Sequence, residues 1–152
     1  MRTKNASMMA LLAAGAMTVL GAGPAVAADV LLPHPGPDGL VWVQEQVGDG
    51  GVVSAGAWSG LPTVLTVACE GGGTINATME SQGNHVAELA VDCPAGTTGI
   101  GTVSVDPGKV TGSFSIGIDA SDDTIRWALT VTQPEWDPTP SPNQPGPRSG
   151  PR

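Results

Sequence analysis

The feature that most constrains the fold is a pair of cysteines, Cys69 and Cys93, each at the end of a run with a two-residue hydrophobic period. Cys69 is in phase with Leu65 and Val67, and Cys93 is in phase with Val91. Side chains alternate between the two faces of a strand, so both sulfurs should point to the buried face. We therefore expect a disulfide bond between two sheets; the alternative is two free, buried thiols.

The segment between the cysteines contains another strand pattern, in which Ile75, Ala77 and Met79 alternate with polar residues. Residues 71–73 and 81–84 flank it and contain Gly and Asn, which tolerate the positive φ of tight turns. The pattern predicts a β-meander closed by the disulfide.

Strand-like runs follow one another along most of the chain, with turn signals between them. They cover residues 40–47, 51–58, 63–69, 74–80, 85–93, 99–105, 110–119 and 124–132. About eight short strands at this spacing predict an all-β antiparallel sandwich, jelly-roll or immunoglobulin-like. We expect a tight hairpin at 48–51, a type II turn at 106–109 with Gly108 at its third position, and Trp127 in the core.

The two ends of the chain have compositions unlike that of the sandwich. Residues 1–28 have the pattern of a secretory signal peptide, with Arg2 and Lys4 before an apolar stretch and a small-x-small site at 25–27. The alternative is an uncleaved membrane anchor. Residues 29–133 form the predicted sandwich domain, and 134–152 a Pro-rich tail expected to be disordered. The expected location is extracellular, with no membrane span in the mature form.

The mature chain should be strongly acidic. The sequence has 6 basic and 14 acidic residues, and loss of Arg2 and Lys4 with the signal leaves 4 against 14, a net charge of −10. Such a surface repels nucleic acid and anionic lipid. Those two classes of partner are therefore not expected.

The residues needed for common kinds of catalysis are scarce. The chain has two histidines, His34 and His85, and no Gly-x-Ser-x-Gly sequence. It has no Tyr and one Phe, whereas paired carboxylates that cleave sugars usually line an aromatic cleft. The sequence therefore predicts a protein that is not an enzyme and has no cofactor.

One acidic loop is a candidate calcium site, because Asp119, Asp122 and Asp123 provide the hard oxygen ligands that Ca²⁺ prefers. Such a site could also support a carboxylate-based enzyme. The alternative is a solvated turn in which Asp side chains bond to their own backbone.

Trp42 and Trp58 are candidate ligand contacts. Trp42 shares its phase with Gln44, which allows it to face outward, and Trp58 stands at a strand end before Ser59. Exposed indoles could form a stacking platform for a sugar or peptide, together with Trp136 of the tail; packing in the core or over an edge is the alternative.

The closing strand Thr-Ile-Arg-Trp-Ala-Leu-Thr-Val-Thr-Gln before a proline tail, with the Ala-rich signal and the single cysteine pair, resembles small secreted β-sandwich proteins of high-GC Gram-positive (actinobacterial) type. Those proteins have no assigned activity. The composition is also similar to that of neocarzinostatin-type apoproteins, which shelter a small apolar ligand and have more cysteines.

Our leading hypothesis is a secreted, non-catalytic binding or cell-envelope-associated module whose partner is an extracellular protein, a polysaccharide or a small apolar ligand. One alternative is a carrier with a cavity between its sheets, suggested by small core-phase residues such as Ala77, Ala87, Gly101 and Gly112. Another is an inhibitor that presents the loop from Cys93 to Gly99.

Overall fold

The computed structural model describes residues 30–135, and these residues contain eight strands and no helix. The strands are β1 (Gly39–Val47), β2 (Gly50–Ala57), β3 (Thr63–Glu70), β4 (Thr74–Ser81), β5 (Asn84–Asp92), β6 (Gly99–Val105), β7 (Gly112–Ala120) and β8 (Arg126–Thr132). This range accordingly provides no helix capable of crossing a membrane. The expected signal peptide and all of the Pro-rich tail beyond Glu135 lie outside the described residues.

The strands form two antiparallel four-stranded sheets. Sheet A has the order β1-β8-β3-β6 and sheet B the order β2-β7-β4-β5. Sheet A contains the pairs β1–β8 and β3–β6, and sheet B contains β2–β7 and β4–β5. These four pairs are those of one long hairpin, wound so that successive pairs lie in opposite sheets. This is the jelly-roll arrangement. The expected all-β sandwich is confirmed. Of its two predicted forms, jelly-roll and immunoglobulin-like, the strand order is that of the jelly-roll.

Two predictions of how successive strands connect are wrong. Residues 48–51 do not form a hairpin, because β1 pairs with β8 in sheet A whereas β2 pairs with β7 in sheet B. Likewise, β3 lies in sheet A and does not pair with β4, so the predicted meander is wrong at that step; β4 and β5 do pair as a hairpin in sheet B. In both places the chain crosses between sheets. The turn at 106–109 does have the expected positive φ at Gly108, +87°.

The core lies between the sheets and contains the inward side chains of the central strands. Trp127, Leu129 and Val131 of β8 are fully buried there, as predicted for Trp127. The Trp127 indole Nε1 donates a hydrogen bond to the Gly48 carbonyl oxygen at 2.7 Å, which satisfies its polar atom. This contact also fixes the crossing from β1 to β2.

The predicted disulfide is present and joins the two sheets. Cys69 belongs to β3 of sheet A, and Cys93 immediately follows β5 of sheet B. Both residues are buried, and their Cα atoms are 5.1 Å apart. The bond therefore links sheet A to sheet B from within the core.

A second, smaller apolar cluster lies on the outer face of sheet A. Leu31 and Leu32 of the segment that leads into β1 pack against Ala68 of β3 and Ala128 of β8. All four residues are buried. The chain thus covers part of this outer face with its own N-terminal segment.

Candidate binding surfaces

Trp42 faces outward from sheet A but is held by contacts within the chain. Its Nε1 donates to the Leu32 carbonyl oxygen at 3.2 Å. The His34 ring meets the indole edge-on, with 4.8 Å between ring centroids. Trp42 is half-buried as a result, so much of its ring is already in contact with the lead-in segment.

Trp58 is exposed, with 67% of its surface accessible, just after the end of β2. Its backbone is fixed by the buried side chain of Gln133: the Trp58 N–H donates to Oε1 at 2.8 Å, and Nε2 donates to the Trp58 carbonyl at 2.9 Å. Nε2 also donates to Thr63 Oγ1 at 3.0 Å. The structure thus presents this indole from an ordered backbone, and its role as a ligand contact stays a prediction.

The acidic loop has the local hydrogen bonds of a turn. Asp122 Oδ1 accepts bonds from the hydroxyl and the backbone N–H of Thr124, and these bonds lower the pKa of Asp122. Within 30–135 no group of three or more His, Cys, Asp or Glu side chains is placed to share a metal ion. The structure thus gives no support to a calcium site at Asp119, Asp122 and Asp123, which stays a prediction.

An open groove lies on the outer face of sheet B. Its volume is about 400 Å³, and its floor includes Gly51 of β2 and Gly117 of β7, which are cross-strand partners. Val53, Thr78 and Glu80 line its walls. Gly117 has no side chain, and a Cβ there would meet no atom within 4 Å, so the face is hollow at this point.

The groove continues along β7 toward the β4–β5 turn. A second depression of about 170 Å³ shares Val53, Glu80 and Ser115 with the first and extends to Gln82 and Ser113. From Ser113 to Gly117 the floor follows one strand for about 13 Å, at about 3.3 Å per residue. We call the two connected depressions, from Gly51 to Gln82, the sheet B groove.

The charges near this groove are negative. Glu80 lies in the groove, and Glu88 is the cross-strand partner of Thr78, one of its wall residues. The two basic residues of the described range lie elsewhere, Lys109 in the β6–β7 loop and Arg126 on sheet A. The carboxylates near the sheet B groove therefore disfavour anionic ligands.

Arg126 is occupied by two carboxylates on the outer face of sheet A. Its Nε and Nη2 donate to the two carboxylate oxygens of Glu45, both at 2.8 Å, and Nη1 donates to Glu70. The bidentate bonds from Arg126 lower the pKa of Glu45. This cation is therefore neutralised within the chain.

The loop after the disulfide is exposed and anchored at its first residue. Residues 94–98 are exposed, while Cys93 is buried and donates its backbone N–H to the Gly73 carbonyl at 2.9 Å. The Gly71 N–H donates to the Pro94 carbonyl at 3.2 Å. The loop proposed for an inhibitor thus projects from a cross-linked base.

The space beside Gly101 is filled, so this glycine does not provide an internal ligand cavity. Gly101 was expected to leave space in the core, but a Cβ there would lie 2.6 Å from Val91 Cγ2 and 3.2 Å from Leu89 Cδ1. The side chains of β5 therefore already fill the space beside this glycine.

Sequence reasoning missed the sheet B groove because no aromatic or catalytic pattern marks it. A usable signal was present in the two glycines, since Gly within a strand often marks a bend or a place where another molecule approaches the backbone. Recognising that Gly51 and Gly117 are neighbours requires the β2–β7 register, which the sequence does not provide.

No protein-family model matches the chain, and no curated protein matches it. Among solved structures, one match is the Clostridium thermocellum N-terminal endo-1,4-β-D-xylanase 10B, CBM22-1–GH10 modules, complexed with xylohexaose. The sequence identity is 14%, the TM-score is 0.34, and the match covers 56% of this chain and 19% of that one. The function of the present chain is therefore inferred from its own residues.

Proposed function

We propose that the protein is an extracellular, non-catalytic module that binds a segment of neutral polysaccharide in the sheet B groove. The observation that carries this proposal is the open groove of about 400 Å³ floored by the paired Gly51 and Gly117. Such a volume lies within the usual range for small-ligand sites.

The groove lining matches the chemistry of a sugar chain. Thr78 and Ser115 offer hydroxyls that both donate and accept hydrogen bonds, and the Glu80 carboxylate accepts them. Val53, with 78% of its surface exposed, offers apolar area to the C–H groups of a sugar ring. Glu80 disfavours anionic chains, so a neutral polysaccharide fits better than a polyanion.

The extracellular assignment rests on two features. The disulfide between Cys69 and Cys93 is of a kind that persists in oxidising compartments. The pattern of residues 1–28 predicts export. A cell-envelope association is compatible with this reading, because polysaccharides are major components of cell surfaces.

Filling the groove without disturbing the fold gives a direct test, using Gly117→Val. A Cβ at Gly117 would meet no atom within 4 Å, and Val favours strands, so this variant should fold normally. Gly51 is unsuitable, since a Cβ there would lie 2.5 Å from the Ile116 carbonyl oxygen. Ser104→Val, at an exposed position of β6 on the opposite sheet, is the matched control.

The assay is depletion of the protein from solution by insoluble cellulose, xylan and chitin, with cationic chitosan and anionic polygalacturonate as comparators. We expect binding to at least one neutral polysaccharide, lost in Gly117→Val and kept in Ser104→Val. Absence of binding to every neutral probe, or equal binding by Gly117→Val, would overturn the proposal.

A second candidate function is inhibition of an extracellular enzyme by the loop at 94–98, favoured by its exposure and its disulfide-anchored base. Inhibition of a secreted protease that disappears when Thr97 and Thr98 are both replaced by Gly, while polysaccharide binding is unchanged, would support this function instead.

A further inference from the structure

A separate cleft of about 440 Å³ lies at one end of the sandwich, between the β4–β5 turn and the loop that connects β6 to β7. Gln82, Asn84 and His85 line one side, and Gly108, Lys109 and Thr111 line the other. The cleft is distinct from the floor of the sheet B groove and borders it only at Gln82.

The two sides of the cleft are joined by hydrogen bonds. Gln82 Nε2 donates to the Thr111 carbonyl oxygen at 3.0 Å, and the Thr111 N–H donates to Ser81 Oγ at 3.2 Å. The far side is tied down as well, because the Gly108 N–H donates to the Ser59 carbonyl at 2.7 Å. The cleft is therefore built from ordered loops.

Gln82 adopts an unusual backbone conformation at this place, with φ of +53°. With Gly83, at φ +75°, it forms the two-residue β4–β5 turn, in which Gly, Asn and Asp are the common residues. A longer amide at this position allows the turn to reach the opposite loop.

The charge of the cleft is opposite to that of the protein around it. Residues 30–135 contain 12 acidic and 2 basic residues, yet no carboxylate lines the cleft and Lys109 does. Arg126, the other basic residue, is paired with Glu45 and Glu70. Within the described range, Lys109 Nζ has no ion pair or hydrogen bond.

We propose that this cleft binds the carboxylate of a small organic ligand. The ammonium group of Lys109 supplies one positive charge, which matches a monoanion. Asn84 Nδ2 donates one hydrogen bond to the Gln82 carbonyl oxygen at 3.2 Å, so its second N–H and the His85 ring supply further donors. The cleft has the volume of a small-molecule site, so we expect a ligand in which the carboxylate is one group of an organic molecule rather than a small free ion. A sugar acid and a peptide C-terminus share this chemistry.

The test is a titration of the ¹⁵N-labelled secreted chain followed by amide chemical shifts. The probes are D-galacturonate and N-acetyl-glycyl-alanine, each paired with its uncharged form, the methyl ester and the C-terminal amide. We expect saturable shifts around Gly108, Lys109 and Gln82 with a free carboxylate and none with its uncharged partner. The probe that saturates identifies the source of the carboxylate.

Three variants separate this site from the overall charge. Lys109→Gln should weaken binding by roughly tenfold or more, the size of a lost charge-assisted hydrogen bond, and Lys109→Arg should restore it. Arg126→Gln makes the same change in net charge on sheet A and should bind as the native chain does. The amide spectra also show whether each variant is folded.

The proposal is overturned if neither carboxylate produces saturable shifts, if the uncharged forms shift the same amides, or if Lys109→Gln binds as tightly as the native chain. These outcomes do not depend on the sheet B groove, because Gly117→Val leaves every residue of the cleft in place. Failure here and failure of polysaccharide binding are therefore distinguishable.

Discussion

Replacement of Gln133 by Ala should lower the free energy of unfolding far more than a substitution at an exposed surface position does. Gln133 is 5% exposed and immediately follows β8, and its amide makes three hydrogen bonds, two to the Trp58 backbone and one to Thr63. It joins the end of β8 in sheet A to the chain leaving β2 in sheet B. The bonds therefore connect the two sheets at one end of the sandwich.

The expected cost follows from the number of bonds. Each intramolecular hydrogen bond contributes about 1 kcal/mol net, so the loss of three should lower the free energy of unfolding by about 3 kcal/mol. Typical domains have a total of about 5–15 kcal/mol, so this is a large fraction. Gln133→Glu keeps the size and one acceptor but loses both N–H donors, and it should also be less stable than the native chain.

The measurement is urea unfolding followed by tryptophan fluorescence, which reports on the buried Trp127. Gln44→Ala, at an exposed position of β1, is the matched control and should change the free energy of unfolding by no more than about 0.5 kcal/mol. If Gln133→Ala lowers the free energy of unfolding no more than Gln44→Ala does, the Gln133 hydrogen bonds do not stabilise the fold and the reasoning is wrong.

Two further predictions concern the cross-link and the ion pair. Replacing Cys69 and Cys93 together by Ala should lower the free energy of unfolding by about 3 kcal/mol, because the bond closes a loop with a sequence separation of 24; an unchanged urea midpoint would contradict this. Arg126 lowers the pKa of Glu45, so the stability from this pair is present above the ordinary Glu pKa of about 4.3 and is lost as pH falls through the lowered value. Across that range, the free energy of unfolding should fall less steeply with decreasing pH for Glu45→Gln than for the native chain. Equal slopes for the two proteins would refute the assignment.

The strands themselves could be predicted because each has a two-residue period that one buried face imposes. Strand β7 is an example: Phe114, Ile116 and Ile118 are buried, whereas Ser113, Gly117 and Asp119 between and beside them are exposed. The disulfide could be predicted for the same reason, since Cys69 and Cys93 share the phase of their buried neighbours. The face of the sheet to which a side chain points can therefore be predicted from the local sequence pattern alone.

The assignment of strands to sheets could not be predicted, because it depends on pairings between distant segments. Residues 48–51 have the composition of a hairpin turn, yet Trp42 of β1 is opposite Thr130 of β8 and Val53 of β2 is opposite Ser115 of β7. The same limit applies to the binding surfaces. The phase of Trp42 indicates an outward position, but only the structure places Leu32 and His34 against its ring.

The two outer faces of the sandwich use small residues in different ways, and the difference favours the sheet B groove as a binding site. On sheet A, the small Ala68 and Ala128 lie side by side across β3 and β8, and Leu31 and Leu32 from the same chain fill the space above them. On sheet B, Gly51 and Gly117 lie side by side across β2 and β7, and a Cβ added to Gly117 would meet nothing within 4 Å. A hollow that the chain fills itself stabilises the fold, whereas one left open beside exposed hydroxyl and carboxylate groups provides no such stabilisation and can bind another molecule.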